Sequence, residues 1–274
     1  SNLCSWRFLY DTQFAVIDDF LVFKFWAGEQ LAYMMPVGNG DLKAVLRKLI
    51  EDADKEKHNF CMLGVCSNMR ADLEAILPER FIFTEDRAYA DYIYLRSDLA
   101  TLKGKKFQAK RNHINRFRNT YPDYEYTPIT PDRIQECLDL EAEWCKVNNC
   151  DQQEGTGNER RALIYALHNF EALGLTGGIL HVNGKIVAFT FGMPINHETF
   201  GVHVEKADTS IDGAYAMINY EFANRIPEQY IYINREEDLG IEGLRKAKLS
   251  YQPVTILEKY MACLKDHPMD MVRW

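Results

Sequence analysis

The sequence predicts an α/β protein with mixed sheets in two successive units, residues 1–102 and 103–274, and three observations carry that expectation. Short β-branched and aromatic runs alternate with amphipathic helical stretches along the whole chain of 274 residues. Asn183-Gly184 stands between two apolar runs and specifies a tight type I′ hairpin. The second unit also follows a regular order: strand, two helices, three strands, helix, strand, helix, strand.

In the first unit, Phe14 to Ile17, Phe20 to Trp26 and Leu31 to Met35 read as strands, separated by turns at Asp18-Asp19 and Gly28-Glu29. Pro36 to Gly40 reads as a loop. Asp41 caps a helix from Leu42 to Ala53, whose apolar face is Leu42, Val45, Leu46 and Leu49. Phe60 to Cys66 is a buried strand, Arg70 to Leu77 a helix stopped by Pro78, and Phe81 to Thr84 and Tyr89 to Leu95 further strands. The second unit opens on Lys103 to Arg118, a run with seven lysines and arginines and no acid; Phe107, Ile114 and Phe117 recur at near-helical spacing, so it reads as a basic amphipathic helix. Tyr124 to Ile129 is a strand. Thr130 and Pro131 are read as N-cap and first residue of a helix reaching Val147. A second helix spans Glu159 to Leu173, closed by Gly174. The hairpin about Asn183-Gly184 and a strand from Thr199 to Glu205 follow. Next come a helix from Gly213 to Arg225, a strand from Tyr230 to Asn234, a helix from Gly240 to Ser250 and a last strand from Val254 to Tyr260.

Composition excludes several classes. A formal net charge of -8 argues against a uniformly basic nucleic-acid or membrane binder. No run approaches the ~20 apolar residues of a membrane span, and the first residues lack the pattern of a secretory leader. The seven cysteines have no framework spacing, and Cys61, Cys66, Cys145 and Cys150 are read as free thiols of a cytoplasmic protein. No metal motif is present, and no metal or tightly bound cofactor is expected.

Several stretches resemble a known family: Asp91-Tyr92-Ile93-Tyr94; Gly104-Lys105-Lys106 through Lys110-Arg111-Asn112-His113-Ile114-Asn115; His203-Val204-Glu205-Lys206-Ala207; Gly213-Ala214-Tyr215; and, most specific, Asn234 to Tyr251. Together they resemble the bacterial family named for the C-terminal domain of phosphatidylglycerol lysyltransferase, over nearly the whole chain. The resemblance implies two GNAT-like lobes in tandem, as in the FemABX aminoacyltransferases. It also implies transfer of an acyl or aminoacyl group, from acyl-CoA or aminoacyl-tRNA, to an amine, hydroxyl or lipid-headgroup acceptor.

In such a fold the activated group lies where two parallel strands part, here Thr199–Glu205 and Tyr230–Asn234, and a helix N-terminus faces the donor's phosphates. That helix begins at Gly213, Ala214 and Tyr215. The preceding Ser210-Ile211-Asp212 lacks the usual Arg or Gln, and Asp212 reads best as an N-cap. His203 and Glu205, two apart on a strand, share a face and are candidate bases; an ion pair at the strand end is the plainer reading of Glu205. Glu236, Glu237 and Asp238 lie at a strand's carboxyl end, where Asp238 is a second candidate base or the acids simply complement the next helix dipole. The resemblance assigns Lys248 to oxyanion stabilisation and makes Tyr251 a candidate acid toward the leaving group. Lys105, Lys106, Lys110 and Arg111 are candidate contacts to tRNA, another polyanion or anionic headgroups. Two other functions fit the same residues: a GNAT-like module that binds a ligand without turnover, and an interaction protein using the basic helix.

Overall fold

The computed structural model describes residues 2–148 and 154–265, so Cys150 lies outside the described residues. The chain is a mixed α/β fold of two compact units. One is formed by residues up to Ser5 and by Asp91–Ile256; the other is Trp6–Ala90 with the chain from Leu257 on.

The first two helices in the chain are single turns, α1 (Asn2–Ser5) and α2 (Arg7–Tyr10). The unit that starts at Trp6 carries β1 (Gln13–Ile17), β2 (Phe20–Ala27), β3 (Gln30–Met34), the short β4 (Val37–Gly38), α3 (Leu42–Lys55), β5 (Cys61–Val65), α4 (Ser67–Ile76) and β6 (Phe81–Glu85). Asp41 caps α3 as its sequence dictates, its carboxylate accepting from Ala44 N–H at 3.1 Å. Val45, Leu46, Leu49 and Ala53 bury the inner face of α3 against Tyr33, Phe60 and Met62.

The second unit holds β7 (Asp91–Leu95), α5 (Arg96–Thr101), α6 (Gln108–Thr120), β8 (Glu125–Pro128), α7 (Ile134–Asn148), α8 (Glu154–His168), β9 (Thr176–Val182), β10 (Lys185–Pro194), β11 (Thr199–Ala207), α9 (Ala214–Ala223), β12 (Tyr232–Asn234), α10 (Glu242–Leu249) and β13 (Thr255–Leu257). Its sheet runs β13-β7-β12-β11-β10-β9-β8. Asn183 and Gly184 both have positive φ, as a type I′ turn requires. Successive residues on a strand face opposite ways. Leu180 and Ala188 therefore join a core with Phe117 and Met217, while Ile179, Phe189 and Phe191 join another with Leu163 and Leu167. Helices cover both faces.

Five sequence expectations are corrected. The boundary falls after Ala90 rather than at 102, because β7 pairs with β12 (Tyr94 opposite Ile233) and so belongs to the later sheet. Val254 to Tyr260 is not one strand: β13 lies beside β7, while β14 (Tyr260–Leu264) inserts between β5 and β6 of the other sheet. Val37-Gly38, read as loop, pairs with β2. Thr130 makes no side-chain cap, and Pro131–Arg133 form a tighter 3-10 turn before α7. Finally, Cys61 and Cys263 are joined by a disulfide, and Cys145 is also disulfide-bonded, whereas the Cys66 thiol is not in a disulfide. Cys61 and Cys263 lie directly opposite each other on antiparallel β5 and β14, a pairing their 202-residue separation hides from the sequence.

Candidate active site

The parallel pairing of β11 and β12 is short. Thr199, Phe200 and Gly201 sit opposite Tyr232, Ile233 and Asn234, and the pairing goes no further although β11 continues to Ala207. Where the strands part, side chains from β7, β11, α6, α9 and the segment after β12 converge.

Arg235, the first residue after β12, is the centre of this group. Its guanidinium donates to Glu205 Oε1 at 2.9 Å, and only 11% and 14% of the two side chains is exposed. It lies 4.9 Å from the Tyr251 ring centre and 5.7 Å from that of Tyr94. Glu205 is held a second time, by Asn219 of α9 at 3.2 Å. Among the described residues, Nη1 of Arg235 is buried without a hydrogen-bond partner, and a buried unsatisfied donor costs on the order of 1–3 kcal/mol.

Lys110 comes from α6, with its ammonium 3.9 Å from the Tyr251 ring centre. Burial, with Arg235 nearby, lowers its pKa to about 8. Burial also raises the Tyr251 pKa, so its phenol stays protonated. Among the described residues, neither Lys110 Nζ nor the Tyr251 hydroxyl has a hydrogen-bond partner.

Lys248 is also lowered to about 8, by burial and then by Arg235. Its three donors, however, are spent on the carbonyls of Arg235, Glu236 (3.2 Å) and Glu237. It cross-links the loop that presents Arg235 and has no donor left for an oxyanion. Asp238 departs from the role of base for a related reason. It is fully buried; Tyr92 Oη donates to it at 2.6 Å, Arg245 at 2.7 and 2.9 Å, and Gly240 N–H at 2.8 Å. The Arg245 hydrogen bonds hold its pKa well below the usual carboxylate range, so it stays ionised and fully bonded.

His203 and Glu205 both turn toward the segment after β12, but to different partners: His203 Nδ1 meets Glu236 Oε1 at 2.6 Å. Asp212 is not the N-cap of α9. Gly213 is, at φ +85, and a Cβ there would meet His113 O at 3.1 Å and Phe117 Cβ at 3.2 Å. Asp212 pairs instead with Arg116 at 2.7 Å, which offsets the repulsion its charge would exert on an anion. Ala214 is buried, and Tyr215 accepts from Trp144 Nε1 at 3.1 Å.

The basic helix is largely committed within the fold. Lys106 pairs with Asp98 at 2.8 Å, and Arg118 with Glu221 at 3.7 Å. Arg111 donates to the carbonyls of Leu102 and Gly104, closing the loop before α6. Lys105 remains exposed in the turn before α6.

Sequence reasoning missed Arg235 as a site residue and took Lys110 only for a polyanion contact. The signal for Arg235 was its place directly after a predicted strand whose carboxyl end faces the cleft. Among the described residues no group of three or more potential metal ligands is gathered, and no helix is long and apolar enough to cross a membrane.

Comparison with known proteins agrees with this architecture. The DUF2156 domain of an Agrobacterium fabrum protein superposes with a TM-score of 0.72 at 13% identity, covering 96% of this chain and 86% of that one. The L-PGS structure from Bacillus licheniformis gives 0.68 at 18% identity, covering 97% and 88%. A tandem GNAT protein from the clavulanic acid biosynthesis pathway gives 0.50 at 11% identity, covering 89% and 78%. At such identities the likeness is one of fold. An uncharacterised protein of Mycoplasmoides gallisepticum is 25% identical over 177 residues, 62% of this chain, and the match spans only 55% of that relative's length. Residues 1–263 match the family model described as phosphatidylglycerol lysyltransferase, C-terminal, and the chain belongs to that family.

Proposed function

We propose that the protein is an acyltransferase of GNAT type, its two units being two GNAT-like lobes. In this reading it moves an activated acyl or aminoacyl group to an amine or hydroxyl acceptor where β11 and β12 part. One observation carries this: three unspent polar groups, Arg235 Nη1, Lys110 Nζ and the Tyr251 hydroxyl, meet there around a buried ion pair. The acceptor's nitrogen or oxygen attacks the acyl carbonyl carbon. Lys110, neutral in part near its pKa of about 8, takes the proton released by that attack. The carbonyl oxygen becomes an oxyanion, and Arg235 Nη1, covered in the free protein, donates to it once the bound substrates open the space beside it. When the tetrahedral intermediate collapses, the bond to the donor breaks. Tyr251 protonates the departing thiolate or ribose oxygen and recovers a proton from Lys110. Glu205 holds the guanidinium in place.

The donor is a thioester such as acyl-CoA or an ester such as aminoacyl-tRNA. Engagement of Lys106, Arg111, Arg116 and Arg118 inside the fold weakens the reading of α6 as a general polyanion-binding face. The test is a transfer assay with acyl-CoAs and charged tRNAs as donors and amines or lipid headgroups as acceptors. Arg235→Lys and Tyr251→Phe should each lower turnover by about 10²-fold or more, the loss typical of one oxyanion donor or one general acid. Full turnover in both variants would refute the assignment.

A further inference from the structure

In the unit that starts at Trp6, β5 and β6 do not pair with each other; β14 stands between them. Among the described residues β6 has no other strand partner, so this end of the sheet depends on β14. The two seams of β14 differ. Toward β6, five consecutive residues pair in unbroken register, from Tyr260 opposite Glu85 to Leu264 opposite Phe81. Toward β5, the register shifts between Tyr260 and Ala262, and three paired positions remain.

Burial adds a modest hold on this interrupted seam. Of the residues of β14, Ala262 and Leu264 are buried in the core around Phe60, Met62 and Phe81, and Tyr260 packs on it in part. Successive strand residues face opposite ways, so Cys263 projects to the other face of the sheet, as Cys61 does between Phe60 and Met62. There the two side chains, each 3% exposed, are joined across the seam. They are 202 positions apart, and both chain connections to the other unit lie inside the loop that the bond closes. No short stretch of chain brings β14 to β5. The covalent bond therefore sits where the hydrogen-bonded ladder and the chain connectivity hold the strand least.

We propose that the Cys61–Cys263 bond is a redox lock on β14: oxidised, it holds the strand against β5; reduced, it lets that seam open. The reductant is a small dithiol. Its thiolate attacks one sulfur, a mixed disulfide forms, and the other cysteine leaves as a thiolate. The second thiol of the reagent then displaces the first. The dithiol ends as a disulfide, and Cys61 and Cys263 together take up two electrons and two protons. Both sulfurs are covered, so the attack proceeds through transient opening of the same seam.

The test is hydrogen exchange read by mass spectrometry on the intact protein, oxidised and after dithiothreitol, with thiols counted by alkylation. Residues 60–65 and 260–264 should exchange at least about ten-fold faster once the bond is reduced, while α3 keeps its protection. Cys61→Ala/Cys263→Ala should match reduced wild type without any reductant; should that variant fail to fold, the reduced wild type decides alone. Dithiothreitol also acts on the disulfide at Cys145, so Cys145→Ala is the control and should keep both segments at the oxidised level. A bond that survives dithiothreitol in the folded protein, equal exchange in the two redox states, acceleration that spreads to α3, or the same acceleration in Cys145→Ala would overturn the proposal. No acyl donor is involved, so the outcome is independent of the transfer reaction.

Discussion

Replacing Asp238 by Asn keeps the size of the side chain and removes its charge, and the structure says what that costs. Four donors converge on the carboxylate: Tyr92 Oη, two guanidinium nitrogens of Arg245 and Gly240 N–H. The amide can keep Oδ1 as an acceptor for Gly240 and Arg245 Nη2. The position of Oδ2 becomes an NH2 group that opposes the Arg245 Nε donor and forces Tyr92 Oη to turn from donor to acceptor. Losing the charge-assisted bonds from these two groups costs about 1.5–3 kcal/mol each at full strength. The Arg245 share is discounted because that side chain is 37% exposed. The net expectation is about 2–4 kcal/mol of lost stability at neutral pH. Its pH dependence follows from the direction of the shift. The Asp238 pKa is depressed in the folded state, so its stabilisation is present above the unfolded value of about 3.9 and is lost as pH falls through the folded pKa. Urea unfolding of wild type and Asp238→Asn should therefore differ by a constant amount from pH 8 to pH 5, and the gap should shrink below pH 4. A variant with unchanged unfolding midpoint and abolished transfer would refute this reasoning and return Asp238 to a direct role in catalysis.

Three further outcomes follow from the same geometry. Lys110→Met should abolish transfer without loss of stability, because burial already disfavours the ammonium; the melting temperature and turnover together check this. The wild-type rate should rise with pH and level off above about 8, where Lys110 is neutral, and an unchanged profile in Lys110→Met would count against the lysine as base. Gly213→Ala places a Cβ at φ +85 against His113 O and Phe117 Cβ. It should cost about 1–2 kcal/mol of left-handed strain alone, read by denaturant unfolding.

Local signals made much of this fold legible. Asp41 before an apolar 3.6-residue pattern specifies α3 and its cap, Asn183-Gly184 specifies the hairpin, and Phe107, Ile114 and Phe117 specify which face of the basic segment is buried. These features are written within a few residues of where they act. What was not legible depends on pairing at long range. Nothing near Asp91 says that β7 will lie beside β12, and nothing near Tyr260 says that the chain leaves one sheet for the other. The disulfide followed β14 into that hidden place. In the site, Glu205 and Tyr251 lie beside Arg235 and His203 meets Glu236, partners that decide their chemistry and do not show in sequence. Asp238 read as a candidate base or as an acid complementing the next helix dipole, because Tyr92, which donates to it, is 146 positions away.

Buried Lys248 and half-buried Lys110 show why residue type alone could not assign roles. Lys110 and Lys248 both have pKa values lowered to about 8 by burial and by the same arginine, so electrostatics does not distinguish them. Their donors do. Lys248 spends three on consecutive carbonyls after β12, and in doing so fixes the backbone from which Arg235 projects. Among the described residues Lys110 makes only a ring contact, on the tyrosine that also flanks Arg235. A lysine that holds a loop and a lysine that awaits a proton can share one pKa. Loss of the first should disturb the position of Arg235 and hence both stability and turnover, while loss of the second should disturb turnover alone.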